Sequence, residues 1–123
     1  MYLCEGRCLN QHVYYNFIRN GSSILFRKEI ALKFGGYSAE LYERNAQGCE
    51  DVLFSQMILL SHGLTYTKEI LVGYRVYGDS MSSNAAKMLV SRKLVMKIIN
   101  KTGLVSKRAV SYTHLTLPTI YSV

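Results

Sequence analysis

A chain of 123 residues, 49% hydrophobic and 19% charged, has the length and composition of one small globular domain and excludes a disordered segment. Its formal charge of +7 is uneven: Lys87, Arg92, Lys93, Lys97, Lys101, Lys107 and Arg108 follow one another without an intervening acid. No zinc-finger, RNA-recognition or helix-turn-helix signature accompanies them, so nucleic acid is not an expected partner. There is no apolar run of about 18 residues to span a membrane.

Near the N-terminus Cys4, Cys8 and His12 recur at four-residue intervals, and on a helix they would share one face, with Cys49 as a further candidate metal ligand. Structural zinc more often uses tighter cysteine pairs, so free buried thiols are the plainer reading. Three cysteines and no secretory signal predict a reducing, cytoplasmic setting.

The stretch Ser22–Arg27 is rich in strand formers and follows Asn20-Gly21, which predicts a strand. Lys28 to Phe34 reads as a short helix stopped by Gly35-Gly36. A polar stretch from Ser38 to Gly48 then leads to a helix over Glu50–Ser61, with Leu53, Met57 and Leu60 at helical spacing and Gly63 as its stop. Leu64–Thr67 follows, and Ile70–Tyr77 reads as a strand in which Ile70, Val72, Tyr74 and Val76 share one face. After a loop at Gly78–Asn84 comes a basic amphipathic helix over about 85–100, with Val90, Leu94 and Ile98 as its apolar stripe and Lys93, Lys97 and Lys101 on another. Alternating strands and helices predict an α/β fold. That helix has three readings: packing on the domain's own core, lying on an anionic membrane surface, or binding an acidic partner.

The segment Val110–Thr119 resembles the translation of a transposase-type sequencing adapter and carries the chain's only proline. Residues 110–123 are therefore expected to be non-native, with a partial domain over 1–109. On this reading the natural protein continues past Arg108.

Asp51 is the leading candidate for chemistry. A carboxylate in a helix's first turn is favoured in its ionised form by the helix dipole, and a general base must be ionised. Glu50 beside it would orient the pair or bind substrate. Acids also cap helices, and position alone leaves both readings open. Arg75, on a strand next to Gly73, could direct a guanidinium at a phosphate, or be a surface cation. Ser80 and Ser82 lie in a loop that could meet an anion with hydroxyls and N–H groups, or simply form a turn. No P-loop, GxGxxG, GxSxG or DxD motif is present.

Five ordered blocks, Asn20–Glu29, Phe34–Tyr37, Asn45–Asp51, Leu71–Arg75 and Ser80–Ser83, resemble the second half of family 2 glycosyltransferases. The resemblance covers Asn16 to about Ile99. It implies a partial GT-A-type α/β domain, the acceptor-side half, and an inverting transfer from a nucleotide-diphosphate sugar to an acceptor hydroxyl in cell-surface polysaccharide or glycoconjugate synthesis. The expected partners are that donor and a glycan acceptor, with peripheral contact at the inner face of the membrane. The cofactor implied is a divalent metal, Mg or Mn, whose ligands fall mostly before Met1. In that family the aspartate of the Glu-Asp pair is the base, which assigns that role to Asp51. Arg75 and the Ser80–Ser83 loop would then stabilise the leaving diphosphate. Members commonly carry a histidine shortly after the Tyr-Arg pair, where this chain has Tyr77 and Gly78. The missing donor-binding aspartates imply that these residues do not catalyse transfer alone. A non-catalytic sugar- or partner-binding module is the alternative.

Overall fold

The computed structural model describes residues 5–106; Cys4, Lys107, Arg108 and the segment 110–123 set aside above lie outside the described residues. Five α-helices follow in order: α1 (Leu9–Tyr15), α2 (Lys28–Lys33), α3 (Glu40–Glu43), α4 (Glu50–Leu59) and α5 (Ala85–Asn100). Single 3-10 turns at Gly21–Ser23 and Met81–Ser83 separate them.

The α/β expectation, and with it the partial GT-A-like domain, is overturned: no sheet forms among the described residues. The one β-bridge joins Gly6 to Leu64, through N–H to carbonyl bonds of 2.7 and 2.8 Å. A strand is stable only when a neighbour takes up its N–H and C=O groups, and the two predicted strands, Ser22–Arg27 and Ile70–Tyr77, form no ladder among the described residues. Ser22–Arg27 begins in a 3-10 turn and then runs extended, leaving Leu25 99% exposed. Ile70–Tyr77 runs without turn or bend and is exposed along its whole length, Ile70 at 97%. Strand-forming composition is present there; pairing is not.

The helices obey local rules. Gly35 and Gly36 adopt φ of 75° and 67°, and their N–H groups return to Leu32 and Ala31, stopping α2 where the sequence expects. At the start of α5, Asn84 Oδ1 accepts the N–H of Lys87 at 3.0 Å, satisfying one of the first-turn donors. Two helices escape the sequence reading. One is α1, which ends at Asn16 with φ 48°. The other is the single turn α3, inside the stretch read as polar loop.

The core lies where α1, α4 and α5 meet. Val13, Leu41, Val95 and Ile99 are fully buried, with Cys49, Leu53 and Met96 nearly so. The fully buried stripe of α5 is Ser91, Arg92, Val95, Met96 and Ile99; of the expected stripe, Leu94 and Ile98 pack partly buried against the core and Val90 does not. Val90 is 54% exposed. The helix is rotated from the expected face because two polar side chains have work inside. Ser91 Oγ accepts the N–H of Cys49 at 2.9 Å, just before α4, and the Arg92 guanidinium reaches the Val13 carbonyl at 3.4 Å.

A second polar contact ties α1 to α4. Ser55 Oγ donates to the Val52 carbonyl at 2.9 Å, which leaves it to accept from His12 Nε2, also at 2.9 Å. His12 is wholly buried, and burial together with the nearby Arg92 charge lowers its pKa to about 3. No group of His, Cys, Asp and Glu among the described residues could hold a metal. Cys8 belongs to a disulfide, and Cys49 is a free, buried thiol that burial pushes upward in pKa. The free-thiol reading therefore holds for Cys49 and fails for Cys8. No helix among the described residues is long and apolar enough to cross a membrane.

Candidate functional site

The site is built around the start of α4, where Glu50 and Asp51 occupy the first turn as the sequence predicts. Their two carboxylates behave differently. Glu50 Oε2 turns back to accept the N–H of Gly48 at 2.9 Å and so ties down the loop entering the helix. Asp51 Oδ1 accepts the N–H of Val52 at 2.8 Å. That leaves Asp51 Oδ2 facing Gly21, where a Cβ on the glycine would stand 3.7 Å from Oδ2 and 3.4 Å from the hydroxyl of Tyr37. Gly21 therefore keeps open the space beside the carboxylate and the tyrosine hydroxyl.

Aromatic packing holds this arrangement. Phe54, one turn after Asp51 on α4, is 3% exposed and meets Phe26 edge-on at 5.1 Å between ring centroids. It also meets Tyr37 at 5.1 Å with the rings tilted by 53°. Edge and tilted geometries are the ones ring quadrupoles favour. The loop carrying Gly21 and Phe26 and the turn carrying Tyr37 are thereby fixed against the helix carrying Asp51. Tyr37 itself remains 54% exposed and offers an aromatic face and a hydroxyl to solvent beside the acid.

Half-burial raises the pKa of Asp51 above the ordinary carboxylate value, and the neighbouring Glu50 charge adds to this. The backbone N–H groups of Val52, Asp51 and Gly21 act in the opposite direction without cancelling it. Desolvation thus outweighs the hydrogen bonds that the helix start offers the carboxylate. A base with a raised pKa binds a proton more strongly, which suits abstraction from a hydroxyl provided the group is still ionised at working pH.

The other predicted site residues do not join this cluster. Arg75 is exposed and forms no ion pair or hydrogen bond with Glu50 or Asp51. Ser80 and Ser82 bond each other, Oγ to Oγ at 3.1 Å, and Ser82 also meets the Tyr74 hydroxyl at 3.3 Å. Ser83 Oγ donates to the Ser80 carbonyl at 2.6 Å, which closes the loop as a turn ahead of α5. A divalent metal finds no ligand set among the described residues, since Glu50 and Asp51 are not joined by a third donor.

Gly21 and Tyr37 are the members of the site that the residue-by-residue reading passes over, although both stand inside the blocks that carry the glycosyltransferase resemblance. A separate cavity of about 170 Å³ lies behind Phe54, between Phe34, Leu53, Met57 and Ile98. It contains neither Glu50 nor Asp51; the acid on its rim, Glu40, is paired with Arg44 at 2.7 Å. In comparisons with protein families, with curated proteins and with solved structures, nothing matches this chain.

Proposed function

We propose that this chain carries the acceptor-activating base of an inverting glycosyltransferase of the family 2 kind, with Asp51 in that role. The observation that carries the reading is the meeting of three sequence blocks at one place: the Tyr37 hydroxyl and the Asp51 carboxylate, from separate parts of the resemblance, border the same space beside Gly21. In the reaction, the acceptor hydroxyl loses its proton to Asp51 Oδ2 as its oxygen attacks the anomeric carbon. The bond from that carbon to the diphosphate breaks on the opposite side, and the nucleotide diphosphate leaves with the electron pair. Tyr37 would orient the acceptor with its hydroxyl and its exposed ring, and Gly21 admits the incoming oxygen. The acceptor class that fits is a glycan or glycoconjugate of the cell surface.

A non-catalytic sugar-binding module is the second reading. It is favoured by one observation, that Arg75, Ser80 and Ser82 supply no cation or hydroxyl to the Asp51 cluster. Transfer from a panel of labelled nucleotide sugars to oligosaccharide acceptors, by the chain joined to a family 2 donor-binding half, tests the first reading. Asp51→Asn should depress transfer by about two to four powers of ten while saccharide binding survives. Undiminished transfer in Asp51→Asn would end the assignment of the base, and saccharide binding without transfer, even with a donor-binding half supplied, would favour the module.

A further inference from the structure

One face of α5 is committed to the core, and the opposite face carries charge that no carboxylate among the described residues neutralises. At 100° per residue, Lys87, Lys93, Lys97 and Lys101 fall within an arc of roughly 120° centred on Val90. All four lysines are exposed, and Val90 at the centre of the arc is 54% exposed. Leu104, just past the helix, is 60% exposed. The helix contains no acid, and none of the four lysines pairs with a carboxylate among the described residues. From Lys87 to Lys101 the stripe runs roughly 20 Å along a straight helix.

We propose that this face of α5 docks on an anionic phospholipid surface. A line of lysines flanking exposed aliphatic side chains matches a flat, negatively charged boundary, where the ammonium groups meet headgroups and Val90 and Leu104 enter the interface. A nucleic-acid surface is the poorer match, because the arc holds no arginine to fork onto phosphate and no aromatic ring to stack on a base. Docking leaves the fold intact: the face used is the one the core does not use, and Ser91 on the inner side continues to hold the turn before α4. The proposal is independent of the role given to Asp51.

Flotation of the full chain with vesicles tests it. The chain should float with phosphatidylserine-rich vesicles, stay behind with pure phosphatidylcholine, and be released as salt rises. Lys93→Ala/Lys97→Ala should weaken binding roughly thirtyfold, at about five- to sixfold per lysine near the surface. Val90→Asn should weaken it by less. These residues are exposed, so circular dichroism should show unchanged helix content in both variants. Equal flotation with neutral vesicles, no flotation at all, undiminished binding by the double variant, or displacement from vesicles by polyuridylate would each overturn the proposal.

Discussion

The inward faces of α4 and α5 and the segment Ile70–Tyr77 both carry several large apolar residues, yet these end in opposite environments. Val95, Met96 and Ile99 are at most 1% exposed, while Ile70 and Val76 are 97% and 85% exposed. The difference lies in the backbone. A helix satisfies its own N–H and C=O groups, so an apolar stripe is free to pack wherever another helix offers one. An extended segment must first find a neighbour for its backbone, and Ile70–Tyr77 has none among the described residues. Hydrophobic composition therefore predicts burial only where local structure can form alone.

The comparison is most sharply broken by truncating one residue on each side. Ile99→Ala should cost about 2–5 kcal/mol in urea unfolding, because the site is closed on all sides. Ile70→Ala should fall within about 0.5 kcal/mol of the parent. A large loss at Ile70 would mean that the segment is covered in solution.

Acid should act on the helical half first. His12 is neutral in the fold, and its pKa of about 3 lies below the ordinary value of 6.5. The unfolded chain therefore takes up a proton that the fold refuses. The contribution is present in full above the unfolded value and is lost as pH falls toward about 3, at up to about 1.4 kcal/mol per pH unit. His12→Gln should flatten the acid limb of the stability profile measured by thermal melts; an unchanged limb would remove His12 as its cause.

The smallest expected effect concerns Asp51. Its pKa is raised in the fold, so the fold disfavours its ionised form, and the contribution that the proton makes is lost as pH rises through the folded value. Asp51→Asn should hence melt slightly higher than the parent at neutral pH, with the gain vanishing below the ordinary aspartate range. A lower melting temperature at neutral pH would identify Asp51 as a cap whose charge stabilises α4.

Much of the helical framework was legible because its signals are local. Asn84 as a cap, Gly35-Gly36 as a stop and the acidic first turn of α4 each act within a few residues of themselves. The strands were misread because a period of two and β-branched composition describe what a segment tolerates, not whether a partner exists. The turn of α5 was misread because an apolar stripe looked like the natural buried face, whereas Ser91 and Arg92 are drawn inside by the backbone groups of Cys49 and Val13. At the site, the Glu50-Asp51 pair could be read from sequence. Its closeness to Gly21 and Tyr37 could not, since it depends on Phe54 bringing Phe26 and Tyr37 together. Nor could the direction of the Asp51 pKa, which burial sets.

The most direct test of the central claim is a pH titration of the Asp51 carboxyl carbon by NMR, in the free chain and with an oligosaccharide acceptor. The account predicts a midpoint above the ordinary aspartate value, moved further by the saccharide, together with shifts at the amides of Gly21 and Val52. An ordinary midpoint that no saccharide moves would contradict it and leave Glu50 and Asp51 as the acidic cap of a helix.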